Sequence, residues 1–161
     1  PEAIKRMRKT GLDKAIMKAH QERVPLLGVC LGMQLLFKRS SENGGDVGLK
    51  ILDGEVKKLA ERDQNGYQLL VPSIGWNKVV CSDYKKANSI LFELIDSNDF
   101  YFVHSFECIV KDENLPTAHY VRGDKFVKAV VTKDEVWGVQ FHPEKSGLVG
   151  LDLLETFVRM T

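Results

Sequence analysis

The 161-residue sequence predicts an α/β fold, a mixed sheet with an antiparallel extension, on three observations. Helix-like and strand-like stretches alternate through the first third of the chain. A short apolar run, Leu26–Val29, passes through Cys30 directly into helix formers. From residue 100 onward, strand-like runs separated by tight-turn sequences precede one closing helical stretch. No segment repeats, and 43% hydrophobic with 28% charged residues suits one domain over residues 1–161.

Taken in order, residues 2–7 and 12–20 are helical, with Ile4, Met7, Leu12, Ile16 and Ala19 available for a core-facing side and Gly11 as a C-cap between them. Pro25 is tolerated at the first position of a strand, so residues 26–29 read as a buried-type strand and residues 31–37 as the helix after it. Residues 40–46 are a polar, glycine-rich loop. Residues 54–59 alternate weakly as a strand, and residues 61–66 form a turn. Pro72 and Gly75 make residues 71–77 a shaped loop leading into a strand at 78–81. Asn88 or Ser89 caps a short helix over 90–95. Strands follow at 100–106, 117–122, 126–132 and 136–141, with turns at 122–125 and 133–135. Leu148, Leu151, Leu154 and Val158 recur at helical spacing, so an amphipathic helix from about residue 146 closes the chain.

Lys+Arg 23 against Asp+Glu 22 leaves a net charge of +1, which gives no basic excess for nucleic acid. The most basic patch, Lys5-Arg6-Met7-Arg8-Lys9, reads as a solvated helix face. Cys30, Cys81 and Cys108 are far apart, without C-x-x-C or His/Cys spacing, so neither a disulfide framework nor a metal site is expected. No apolar run reaches the ~20 residues of a membrane span, and no signal peptide is evident. The expected compartment is a reducing cytoplasm. Pro1 opens directly into helical sequence, so the chain is expected to lack its natural beginning.

The chemistry centres on Gly28-Val29-Cys30-Leu31-Gly32. Glycines two residues either side of a strand-to-helix turn match a nucleophile elbow, which lifts the thiol clear of the sheet at a helix N-terminus that favours the thiolate. A buried core thiol explains the pentapeptide equally well. A nucleophilic cysteine needs a base. His20 and His119 read as surface or structural residues, whereas His142 ends the strand-like run 136–141 and is followed by Pro143 and Glu144. Residues i and i+2 share a face of an extended chain, so Glu144 can hold one ring nitrogen of His142 while the other faces Cys30. A lone strand-end histidine beside an unrelated acid is the bland alternative.

Gly28-Val29-Cys30-Leu31-Gly32-Met33-Gln34 together with Gly138-Val139-Gln140-Phe141-His142-Pro143-Glu144 resembles the class I, triad-type glutamine amidotransferases, in the family's order and over essentially the whole chain. Within that class the likeness is greatest to the glutaminase subunits of imidazole glycerol phosphate synthases, through 71–77, Tyr101-Phe102-Val103-His104-Ser105-Phe106 and Lys145-Ser146. Ser73 departs from that pattern, where those subunits usually have His. Sibling glutaminases serve sugar-amidine biosynthesis.

The resemblance implies a flavodoxin-like sheet with helices on both faces, lacking its first strands here. It implies catalytic Cys30, His142 and Glu144, and an oxyanion donor at Leu31. Gln34, Ser105 and Phe106 would contact glutamine. Ser73, Trp76, Asn77 and Lys145 would lie at the face docking a (βα)8-barrel synthase, with no cofactor or metal required. The family's second oxyanion donor belongs to a turn upstream of Pro1, so the chain alone is expected to be a poor glutaminase, by on the order of 100-fold. A cysteine hydrolase of peptides and a non-catalytic partner-binding domain remain as rivals.

Overall fold

The computed structural model describes residues 2–41, 47–81 and 89–160. The chain opens with two helices, α1 (Glu2–Thr10) and α2 (Leu12–Gln21), separated by Gly11. Ile4 is their buried anchor, Met7, Ile16 and Ala19 are half-buried, and Leu12 faces solvent. Strand β1 (Leu26–Val29), helix α4 (Ile90–Ile95) and strand β8 below match the bounds expected from sequence, and helix α3 (Leu31–Leu36) ends one residue short of the expected 31–37. Ser89 caps α4 by accepting from Leu91 N–H. Asn88 and most of the glycine-rich loop, 42–46, lie outside the described residues.

The remaining strands are β2 (Phe37–Ser40), β3 (Leu52–Lys58), β4 (Ser73–Lys78), β5 (Val80–Cys81), β6 (Asp99–His104), β7 (Phe106–Val110), β8 (Thr117–Arg122), β9 (Lys125–Lys133) and β10 (Val136–Val139); α5 (Gly147–Arg159) closes the chain. Five strands form one sheet in the order β1-β10-β9-β8-β5, parallel only between β1 and β10. A second sheet runs β2-β3-β7, and a third pairs β4 with β6. This is the expected α/β fold with an antiparallel extension.

Four expectations are corrected. β2 follows α3 without a breaker, and its Lys38 and Arg39 are good helix formers, so only its pairing with β3 reveals it as a strand. The shaped loop is mostly strand: Pro72 precedes β4, and Gly75 lies within it at φ 136 while its neighbours pair with β6. The single strand at 100–106 breaks at Ser105, β6 joining one sheet and β7 another. The closing helix is rotated about its axis. Leu148, Leu151 and Val158 are exposed, whereas Gly150, Leu153 and Phe157 are buried. A Cβ on Gly150 would stand 2.0 Å from Pro143 O, so only glycine lets α5 sit this close to the preceding turn, and that contact selects the buried face.

The core has two parts that meet at β9 and β10. Val136 joins Met33, Phe37, Leu52 and Val56 on one side, and Trp137 and Val139 join Phe92, Phe100, Phe141 and Leu153 on the other. β10 is therefore buried along its length, as its apolar sequence requires. β1, equally apolar, is only half-buried, because an apolar cavity of about 160 Å³ lined by Met7, Ile16, Leu26, Gly28, Leu35 and Leu49 adjoins it.

Gly28 and Gly138 are direct partners in the β1–β10 pairing. A Cβ on Gly28 would lie 2.8 Å from Gly32 C and 2.9 Å from Met33 N, and one on Gly138 2.7 Å from Met33 Cγ. This glycine pair sets how closely α3 approaches the sheet. Gly28→Ala, which meets backbone, is expected to destabilise the chain by roughly 2–4 kcal/mol. Gly138→Ala, which meets a flexible side chain, should cost less. Urea unfolding of the two variants checks the ranking, and an equal or smaller loss for Gly28→Ala would overturn it.

Candidate active site

Cys30 stands on the turn between β1 and α3 with φ 49 and ψ −104, a conformation a non-glycine residue holds only when its surroundings enforce it. The enforcement is backbone pairing. Cys30 N–H donates to Val139 O at 2.7 Å, and Gln34 N–H donates to Cys30 O at 3.2 Å. The elbow is thereby tied to the end of β10 and to the first turn of α3.

The same pairing brings in the segment after β10. Gln140 N–H donates to Ala129 O at 2.8 Å, and His142 N–H donates to Tyr101 O on β6 at 2.9 Å. Pro143–Lys145 then form one 3-10 turn under the His142 carbonyl, which accepts from Lys145 N–H at 3.0 Å and from the Ser146 hydroxyl at 2.6 Å. Within this turn His142 Nδ1 and Glu144 Oε1 are 2.7 Å apart. A carboxylate only accepts, so Nδ1 carries the proton and Nε2 is left basic. The ring is mostly shielded and the Glu144 carboxylate is half exposed.

Several sequence-predicted residues converge here. Cys30 feels the charges of both Glu144 and Lys145, the first raising and the second lowering its pKa. The thiol's own hydrogen bonds run to Val103 O, 3.8 Å away on β6, and from Gln140 Nε2 at 3.6 Å. Burial is the largest influence on the thiol and pushes its pKa above the ordinary value, while Leu31 N–H and the Gln140 amide oppose it. The helix N-terminus thus favours the thiolate as expected, but desolvation outweighs it and the resting sulfur is protonated. Gln34 donates through Nε2 to Phe106 O at 3.4 Å and to Gln140 Oε1 at 3.2 Å. Ser105 O is taken by Leu59 N–H at 2.9 Å, and Phe106 O also lies 2.7 Å from His104 Nδ1.

Three of the residues expected at a docking face lie on β4, on alternate sides of the strand. Trp76 is 56% exposed beside Ile74 on the outer face of β4 and meets Tyr101 edge-on at 6.0 Å. Ser73 and Asn77 point to the other face, and Ser73 Oγ lies 3.4 Å from Tyr120 Oη. Lys145 is exposed on the 3-10 turn.

Two further groups were not singled out from the sequence. Gln140 is fully buried in contact with Cys30; its signal was a lone polar residue in the run 136–141. His104 bridges Phe106 O and Tyr120 Oη, 2.8 Å from Nε2, and no local pattern announces that pairing. The Phe106 carbonyl can only accept, so His104 carries its proton on Nδ1 and accepts from Tyr120.

The chain matches the family described as "Glutamine amidotransferase class-I" over residues 5–160. It is 40% identical over 156 residues to the imidazole glycerol phosphate synthase subunit HisH of Geobacillus sp. (strain WCH70), covering 97% of this chain and 72% of that one. Against the subunit of the same name from Bacillus subtilis (strain 168) it is 42% identical over 151 residues, covering 94% and 69%. A solved glutamine amidotransferase superposes with a TM-score of 0.65 at 20% identity, covering 94% of this chain and 71% of that one. PurLQS from Thermotoga maritima superposes with 0.62 at 19% identity, covering 92% and 68%.

Burial lowers the His104 pKa to about 4, so the folded chain holds this ring neutral while the unfolded chain protonates it near 6.5. The stability from keeping it neutral is fully present above about pH 6.5 and is lost as pH falls toward 4. Unfolding free energies measured from pH 7 to pH 4.5 should therefore fall more steeply for the wild type than for His104→Asn. Parallel slopes would overturn the assignment.

Proposed function

The chain belongs to the class-I glutamine amidotransferase family, and from that premise we propose that it is the glutaminase subunit of an imidazole glycerol phosphate synthase in histidine biosynthesis. One observation carries the chemical part of this reading. The elbow cysteine and the His142–Glu144 pair emerge from the same ends of two paired parallel strands. The pathway part rests on relatives 40–42% identical over nearly the whole chain.

Glutamine enters as substrate beside Gln34. His142 Nε2 takes the Cys30 proton, and the sulfur attacks the side-chain amide carbon. The resulting oxyanion is met by Leu31 N–H, which already addresses the sulfur. His142 passes its proton to the departing nitrogen, ammonia leaves, and a glutamyl thioester remains. Water, deprotonated by His142, attacks the thioester, glutamate departs and the thiol is restored. Glu144 holds the ring by Nδ1 and stabilises its charged form in both halves of the cycle.

Ammonia is passed to a (βα)8-barrel synthase subunit docked on the β4 face. Trp76 suits the centre of such an interface, being a large exposed aromatic with Ile74 beside it, and its ring contacts Tyr101, whose carbonyl anchors His142.

In the assembled complex, Cys30→Ala should abolish synthesis driven by glutamine while ammonium salts still support it. Retained glutamine hydrolysis would overturn the nucleophile assignment. Trp76→Ala is expected to weaken binding of the barrel subunit by about tenfold or more. If titration finds both affinity and glutaminase stimulation unchanged, the docking face lies elsewhere.

A further inference from the structure

We propose that Gln140 is a positioning residue for Cys30, its buried carboxamide, oriented by Gln34, holding the sulfur by an N–H bond. The inference rests on the reading of Cys30 as the nucleophile.

The orientation of this amide follows from its neighbours. Gln34 Nε2 lies 3.4 Å from Phe106 O, and a carbonyl can only accept, so the amino group of Gln34 is the end facing inward. That amino group also lies 3.2 Å from the Gln140 amide, which must present its oxygen. Gln140 therefore turns its own Nε2 to Cys30 Sγ at 3.6 Å. Two carboxamides and a backbone carbonyl form one line of donors and acceptors, and reversing either amide sets like groups against each other.

The sulfur consequently lies between an acceptor, Val103 O at 3.8 Å, and a donor, Gln140 Nε2. The two contacts respond oppositely to ionisation. The protonated thiol can give its hydrogen to Val103 O, and loss of the proton sets negative sulfur against a carbonyl oxygen. The Gln140 contact strengthens as charge develops, because an N–H bond to an anion exceeds one to a neutral acceptor. Gln140 is fully buried directly after β10, and its backbone N–H is fixed on Ala129 O, so the donor stands in place before ionisation. The same constraint commits Gln34 Nε2, leaving Oε1 as that amide's accepting end.

Burying a carboxamide where the strand could carry an apolar residue is unfavourable unless its polar atoms are paired. Here both ends are used, one on the thiol and one on Gln34. A purely structural role needs neither the thiol nor a particular orientation of the amide.

The test is the pH dependence of Cys30 alkylation by iodoacetamide in the full chain, read by mass spectrometry of the Cys30 peptide. Gln140→Met removes the donor at similar length, and Gln140→Leu removes both polar ends of the amide. Both should move the alkylation midpoint upward by about one pH unit or more, which slows alkylation at pH 7 by about tenfold. Glutaminase kcat should fall with the midpoint, by more than any change in KM.

Folded variants whose midpoints stay within about 0.3 unit of wild type overturn the proposal. Should both Gln140 variants fail to fold, Gln34→Ala serves as the second probe. It frees the Gln140 amide to reverse and should raise the midpoint by a smaller amount; an unchanged midpoint there also overturns the proposal. Full glutaminase activity in Cys30→Ala would instead remove the nucleophile reading and leave the alkylation result standing, so the two failures are distinguishable.

Discussion

The parallel pairing of β1 with β10 is the constraint on which the rest of the molecule depends. It joins residues more than a hundred positions apart, and it is the only parallel pairing in the five-stranded sheet. Its register places Val29 opposite Val139, so the elbow and the segment 140–144 leave the sheet at the same edge. The Gly28–Gly138 row lets α3 descend onto both strands. The Cys30 N–H bond to Val139 O then holds a backbone conformation that a free chain avoids. A shift of one residue in this pairing would turn every side chain of β1 to the opposite face and separate the sulfur from Gln140.

The site's chemistry is set by this buried geometry more than by its formal charges. The net charge is +1, and the sulfur's hydrogen-bond partners among the described side chains and carbonyls are neutral: the Val103 carbonyl and the Gln140 carboxamide. Desolvation therefore governs the resting thiol. Charge enters from one side, where the 3-10 turn carries Glu144 and Lys145 at the solvent boundary.

What the sequence disclosed and what it hid divide along physical lines. Elements whose reasons are local were legible: the strand-elbow-helix around Cys30, the Ser89 cap and the turns that bound β8 and β9. The His142–Glu144 pairing was legible in the spacing of the two residues, although the chain joins them through a 3-10 turn rather than the extended segment expected. Elements whose reasons are non-local were not. β2 carries helix-forming Lys38 and Arg39, β4 contains Gly75, and the apparent strand at 100–106 is divided between sheets. The buried face of α5 is chosen by one close approach to Pro143, against a leucine stripe that suggested another face. Gln140 and His104 were missed as neighbours because their partners lie on other elements.

β6 also serves as a length standard for the site. Its carbonyls at Tyr101 and Val103 meet His142 N–H and the Cys30 thiol in turn. Alternate carbonyls along an extended strand point the same way at intervals of about 6.6 Å. The span between the histidine's anchor and the sulfur's anchor is thus a fixed multiple of the peptide repeat, independent of side-chain packing. Inserting or deleting one residue between 101 and 103 would reverse the alternation and present N–H groups where the site uses carbonyls. Side chains along this stretch can vary in size as packing allows, but its number of residues cannot.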